Sequence, residues 1–247
     1  MSGIDLTESQ IKTLEKLYQG PIDPVTGEKI AFGIPVGCES SLYILQDFAD
    51  IFASIFFFIP KWALGKDFDY TKFDFHSDYQ KLVTALREKL DATKTDLTEY
   101  KNLGNKLMLI TGSVDVLISP LDGKQYFDGV LKTMGGLEKV DEFFRYFHIP
   151  GLGHGSGGVG FQEIGNLGGI PNVPIDEEHD VLCSMMAWVE KGVAPERLLP
   201  VAFVDGKFTN PVSHERPIYP YPYETEYVGG DIKDVGSFKK KLSNGIY

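Results

Sequence analysis

Cysteine is scarce in these 247 residues: Cys38 and Cys183 are the only two. So few exclude a disulfide-framed scaffold, and no Cys-x-x-Cys or Cys/His spacing points to zinc. A single long-range bridge between the pair stays open. Basic residues are also in short supply, with 24 Lys and Arg against 35 Asp and Glu, a formal net charge of −11. The one basic run, "FKKKL" at 238–242, is too short for a nucleic-acid footprint. Neither nucleic acid nor an anionic membrane surface is an expected partner. Long apolar runs are missing too. The most apolar stretch, "IFASIFFFIPKWALG", is uncharged only from about Ile51 to Pro60, well short of the roughly 20 residues that span a bilayer. It reads as a buried or cleft-lining segment. The opening "MSGIDLTESQ" has neither the basic nor the apolar stretch of a secretion signal, so no signal peptide is expected. No internal repeat or low-complexity tract occurs.

What is present is an ordinary globular composition, 43% hydrophobic and 24% charged, with length for one or two domains. Residues 1–95 read as mainly helical. "DLTESQIKTLEKLY" repeats Leu6, Ile11, Leu14 and Leu17 at helical spacing, with Asp5 or Thr7 as cap and Gly20-Pro21 as stop. "GPIDPVTGEKIAFGIPVG" is turn-rich, with a short strand expected at Lys29–Phe32. Residues 41–64 have helical length, and "DFHSDYQKLVTALREKLDAT" sets Leu82, Leu86 and Leu90 on one helical face.

Residues 96–247 change pattern. "KLMLITGSVD" and "VDEFFRYFHIPG" are short apolar runs ended by turn residues, as in strands buried on both faces. "DGKQYFDGVLKTMGG" between them reads as a helix, and "DEEHDVLCSMMAWVEKG" as another, acidic at its start as the helix dipole favours. Strand, helix, strand, helix is the order of an α/β unit. The tail from Pro195, rich in Pro, Tyr and Gly, is expected to wrap the surface.

In open α/β sheets, functional groups gather beyond the carboxyl ends of the strands. Asp115 follows the first apolar run and His154 follows the second, within "GLGHGSGGVG". Glycine admits positive φ and close approach, so this imidazole is open on several sides, as suits proton transfer. Acid then histidine, 39 residues apart (154 − 115), is the order of the last two members of a hydrolase triad. Bland readings compete with each. His154 alone could be a loop residue among glycines that merely turn the chain. Asp122 rivals Asp115 and is better placed to cap the helix near Gly123. The "GSGGVG" loop lacks the spacing and following helix of a phosphate loop. His76, His148, His179 and His214 are scattered and suggest no metal site.

Taken together, these segments resemble the C-terminal half of the tannase and feruloyl esterase family of α/β-hydrolases. "LTESQIKTLEKLYQGPIDPVTGEKI" with "GIPVGCES" is similar to the second part of that family's lid. "GNKLMLITGSVDVLISPLDGKQYFDGVLKTMGG" is similar to its acid strand and following helix. "VDEFFRYFHIPGLGHGSGG" is similar to its histidine loop, and "MAWVEKGVAPERL" and "RPIYPYP" to its closing helix and tail. The resemblance implies the C-terminal part of an α/β-hydrolase sheet at 96–247, preceded by a lid-like segment at 1–95. It implies Asp115 as the triad acid, His154 as the general base, and small aromatic esters as substrates.

Three features depart from the family pattern. The family's serine sits on a Gly-Cys-Ser-x-Gly-Gly elbow ahead of the lid, and none is found here. Ser40 and Ser41 in "GCESS" fall in the lid-like turn, and Ser156 is two residues from His154 on the same loop. The calcium loop of the family's lid belongs upstream, and no Asp-rich calcium loop occurs in this chain, so no cofactor is expected within it. The cysteine that commonly follows the family's histidine is Gly155 here. The expected function is therefore a carboxylic ester hydrolase whose nucleophile lies elsewhere, with an N-terminal half as a possible partner. The alternative is a non-catalytic fragment or subunit that needs that partner. The aromatic run Phe56–Phe58 with Trp62 reads as core, or as the lining of an aromatic acyl pocket in a lid.

Overall fold

The computed structural model describes residues 5–42, 58–165, 170 and 172–243. The chain divides into two compact units, Met1–Lys94 and Thr95–Tyr247.

In the first unit, helix α1 (Glu8–Gln19) starts at Thr7, not Asp5. The Thr7 hydroxyl accepts from the Gln10 N–H at 3.3 Å, and the Gln10 side chain accepts from the Thr7 N–H at 2.9 Å. This reciprocal capping box satisfies two amide donors that the first turn leaves bare. Gly20, at φ 77°, ends the helix where a Cβ would meet the Ala31 carbonyl at 2.6 Å. The strand expected at Lys29–Phe32 is reduced to one bridge, Ile22 with Lys29. The chain closes too tightly there for a strand, because Asp23 Oδ1 accepts from the N–H groups of Val25 and Thr26. Helices α2 (Phe58–Leu64) and α3 (Ser77–Leu90) follow. On α3, Leu86 is buried but Leu90 is exposed. Of the helix expected at 41–64, residues 43–57, with Phe56 and Phe57, lie outside the described residues.

The second unit is built on a β–α–β step. After helix α4 (Thr98–Asn102), strand β1 (Leu107–Gly112) leads to helix α5 (Pro120–Met134) and the short helix α6 (Leu137–Val140). Strand β2 (Phe144–Ile149) then lies parallel to β1, from Leu107 opposite Phe144 to Gly112 opposite Ile149. Alternation along β2 feeds two cores. Phe144 and Tyr146 pack with Phe127, Val130, Val140 and Phe143 on the helix side. Phe147 and Ile149 pack with Leu152, Phe161, Ile164, Leu198, Ala202 and Ile218 on the other. Helix α5 can come this close because Gly123 faces the sheet, where an added Cβ would lie 2.7 Å from Thr111 Cγ2. The helix opens earlier than the sequence pattern suggests, with Ser119 as cap residue and Pro120 in its first turn. Asp122 lies inside that turn and is not the cap. Proline suits the position because the missing N–H has no partner there.

Helix α7 (Val181–Lys191) is capped by Asp180, whose carboxylate accepts from the N–H groups of Leu182 and Cys183. The tail then forms two hairpins, β3 (Val201–Phe203) with β4 (Val212–Glu215), and β5 (Tyr223–Tyr227) with β6 (Phe238–Leu242). The expectation of a surface wrapping needs correction here. Leu198, Val201, Phe203, Ile218 and Phe238 are all buried, so the tail supplies one wall of the core. No disulfide joins Cys38 to Cys183. Among the described residues no helix is long and apolar enough to cross a membrane.

Candidate functional site

Both strands of the parallel pair end at the same edge, and the two loops beyond them are stitched together. Ser113 donates its N–H to the Ile149 carbonyl at 3.0 Å, and Val114 donates to the Leu152 carbonyl at 3.1 Å. The Gly151 N–H returns to Ser113 Oγ at 2.7 Å. Gly112 is a glycine because the histidine loop passes directly over it. A Cβ there would stand 2.2 Å from the Leu152 carbonyl oxygen and 2.3 Å from that of Gly153.

This stitching brings Asp115 and His154 together. Asp115 is buried, and its two carboxylate oxygens have separate duties. Oδ1 accepts from the N–H groups of Leu117 at 2.8 Å and Ile118 at 3.0 Å. Oδ2 lies 2.8 Å from His154 Nδ1. The turn therefore locks the carboxylate before the imidazole meets it. A carboxylate only accepts, so in the neutral form of the ring the proton between them belongs to Nδ1. That tautomer leaves a lone pair on Nε2, which makes no hydrogen bond among the described residues. The His154 side chain is 56% exposed against 10% for Asp115, so a buried carboxylate lies against a more accessible imidazole. Both border a cavity of about 440 Å³ that runs along Leu109–Gly112 of β1 and is closed by Ile118, Tyr126, Leu152 and Ile164. Among the described residues β1 has β2 as its one hydrogen-bonded neighbour.

The remaining candidates are placed elsewhere. Ser156 is half-buried on the histidine loop and makes no hydrogen bond to His154 among the described residues. Ser40 and Ser41 belong to the first unit, in a single 3-10 turn, Glu39–Ser41. Asp122 has its carboxyl held above the usual range by burial. His76 bonds Asp23 at 2.8 Å, and that hydrogen bond holds the Asp23 carboxyl down at about 2. His148 Nδ1 meets the Thr111 hydroxyl at 3.0 Å, and burial lowers its affinity for a proton. His214 pairs with Ser213. His179, scattered in sequence, is clamped between Asp176 at 2.8 Å and Glu215 at 2.9 Å. The local Asp-x-x-His spacing could have announced the first contact, but nothing in the sequence announces Glu215. Among the described residues no cluster of three or more His, Cys, Asp or Glu is arranged to hold a metal ion.

An α/β unit with an acid and a histidine at neighbouring strand tips defines a class of site found in many hydrolases. Comparison with known proteins narrows the class. The family profile described as tannase and feruloyl esterase matches residues 4–241, and the chain belongs to that family. An uncharacterized esterase of Xanthomonas campestris is 31% identical, covering 94% of this chain and 46% of its own length. A probable feruloyl esterase B-2 of Aspergillus terreus is 33% identical over 95% of this chain and 44% of its own. Among solved structures, an esterase from Aspergillus oryzae is 28% identical with a TM-score of 0.74, covering 96% of this chain and 47% of its own. Feruloyl esterase B from Aspergillus oryzae shares the fold with a TM-score of 0.78 at 22% identity, over 96% of this chain and 47% of its own. The chain thus spans about half the length of the curated relatives it matches.

Proposed function

We propose that this chain supplies the acid and base of a serine carboxylic ester hydrolase acting on esters of aromatic carboxylic acids. In this reading β1, α5 and β2 are the C-terminal end of the hydrolase sheet, and residues 1–95 are a lid-like segment. The observation that carries it is the 2.8 Å hydrogen bond between Asp115 Oδ2 and His154 Nδ1, which leaves Nε2 open to the cavity. Family membership and likeness to a probable feruloyl esterase support the chemistry.

His154 Nε2 takes the proton of a serine hydroxyl as the serine oxygen attacks the ester carbonyl carbon. Asp115 holds the imidazole in its tautomer and stabilises the imidazolium. The tetrahedral oxyanion then collapses, the ester C–O bond breaks, and His154 returns the proton to the leaving alcohol. Water attacks the acyl-serine by the same route and releases the carboxylic acid. The serine and the oxyanion donors come from outside these residues, from a segment or partner carrying a serine elbow. Among the described residues β2 is the one hydrogen-bonded neighbour of β1, and its other edge is bare there for a further parallel strand to bring them. That same bare side also favours the second reading, a non-catalytic subunit, and so does Gly155 in place of a bridging cysteine.

Methyl ferulate turnover separates these readings. The chain alone is expected to be inactive. Adding a polypeptide that carries a family serine elbow is expected to restore turnover, and His154→Ala to remove it by at least about 10³-fold. Restored turnover that survives His154→Ala overturns the assignment. Turnover by the chain alone that is lost in Ser156→Ala or Ser40→Ala would place the nucleophile here. No turnover in either arrangement favours the subunit reading.

A further inference from the structure

A second cavity in the Thr95–Tyr247 unit, of about 270 Å³, shares no lining residue with the one at His154. Leu121, Tyr146, His148, Arg216, Tyr219 and Tyr221 form much of its wall. Its electrostatics are unbalanced. Lys124 lines it, but its ammonium lies 2.6 Å from Asp128. Glu224 lines it and lies 4.0 Å from Lys241. Arg216 has no such counter-ion among the described residues. Its guanidinium sits over the Phe238 ring at 4.5 Å and the Phe161 ring at 5.7 Å, and its Nε is buried without a hydrogen-bond partner.

A buried Nε–H with no acceptor has lost water without gaining a hydrogen bond, which is costly. The planar guanidinium fork matches a carboxylate. Tyr219, Tyr221 and Tyr223 line the same cavity half-buried, and the buried Tyr146 ring lies 6.0 Å from that of Tyr221. The volume is just below the usual range for drug-sized ligands and suits a single ring. His148 adds a half-buried imidazole whose charged form is disfavoured, and its Nδ1 is already engaged by Thr111, so Arg216 is left as the anchor.

We propose that this cavity binds a small aromatic carboxylate, with the carboxylate on Arg216 and the ring against the tyrosine walls. The site is independent of ester turnover, so its test reads binding alone. Benzoate is titrated into the intact chain by calorimetry, with benzyl alcohol as the uncharged analogue. Benzoate is expected to bind with a millimolar or tighter Kd. Benzyl alcohol, and benzoate in Arg216→Gln, should each be weaker by about tenfold or more. Leu121→Trp, at the exposed start of α5, should block the cavity while keeping the guanidinium, and circular dichroism checks that both variants fold. No benzoate binding up to about 10 mM, undiminished binding in Arg216→Gln, or equal binding of benzyl alcohol would each overturn the proposal. So would binding lost in Ile118→Trp, which fills the His154 cavity, but kept in Leu121→Trp.

Discussion

The two units of this chain use apolar residues in different ways. In Met1–Lys94 the buried side chains among the described residues are Asp23, Cys38 and Leu86, while Leu6, Ile11, Leu17, Trp62 and Phe75 are exposed. In Thr95–Tyr247 whole sets of aromatics close on each other. Phe127, Phe143, Phe144 and Phe147 are each 0–1% exposed, and Phe127 meets Phe144 edge to face at 4.9 Å. An amphipathic pattern is a request for cover, and the two units answer it unequally. Among the described residues, buried apolar area is concentrated in the second unit, and its contribution to stability with it.

The two tryptophans allow a direct test, since Trp62 belongs to the first unit and Trp188, buried, to the second. Phe147→Ala should cost about 3–5 kcal/mol, the usual range for emptying a packed aromatic site. Urea melts followed by Trp188 fluorescence in a Trp62→Phe background would read it. Leu86→Ala should cost about 2 kcal/mol, the low end for a buried leucine, because it is the one buried residue of its helix. It should move the Trp62 signal and leave Trp188 in place. A common midpoint for both probes in every variant would erase the contrast.

A sharper version concerns glycine. Gly112→Ala thrusts a methyl group at the Leu152 and Gly153 carbonyls. The histidine loop must lift, at a cost of about 1–3 kcal/mol. The separation of His154 from Asp115 should appear as loss of the shared imidazole proton in NMR spectra. Gly27→Ala in the first unit meets nothing within 4 Å and pays only for its φ of +75°, about 1 kcal/mol. An intact His154 proton in Gly112→Ala would show that the loops are not fixed to each other at that glycine.

Much of the second unit is legible in its sequence. Two apolar runs become the parallel pair: β2 carries one charged side chain, Arg145, and is buried at four of its six positions, whereas Leu107–Thr111 of β1 are half-buried. The acid and the histidine follow them because turn residues end each strand. The tail resists the same reading for a physical reason. Its strands are three to five residues long, too short to show a period, and its core residues stand singly between prolines and tyrosines. Leu198 and Ile218 pair across the tail, and no local pattern connects them. Arg216 and Glu215 are adjacent in sequence yet serve different neighbourhoods, a second cavity and His179. In the first unit the helical spacing of α1 is plain, but spacing alone does not say what would cover Ile11 or Leu17.

The smallest expected effects are in pH dependence, and they too differ between units. Burial disfavours charge on His179, but hydrogen bonds to Asp176 and Glu215 outweigh it and raise the imidazole above its usual 6.5. A raised folded value stabilises fully below the unfolded one and is lost as pH rises through the folded value. Asp176 is lowered by the same His179 bond and two backbone donors, against the opposing effect of burial. Its contribution holds above 3.8 and is lost as pH falls through the lowered value. Asp23, held near 2 mainly by His76, likewise contributes above 3.8 and fails as pH drops toward 2. Stability read by Trp188 should therefore decline on the alkaline side of pH 6.5, and His179→Gln should flatten that decline. Stability read by Trp62 should lose its acid limb in Asp23→Asn and keep the rest of its profile. If His179→Gln left the Trp188 profile unchanged above pH 6.5, the two-carboxylate clamp would not be what ties α7 and β4 into the second unit.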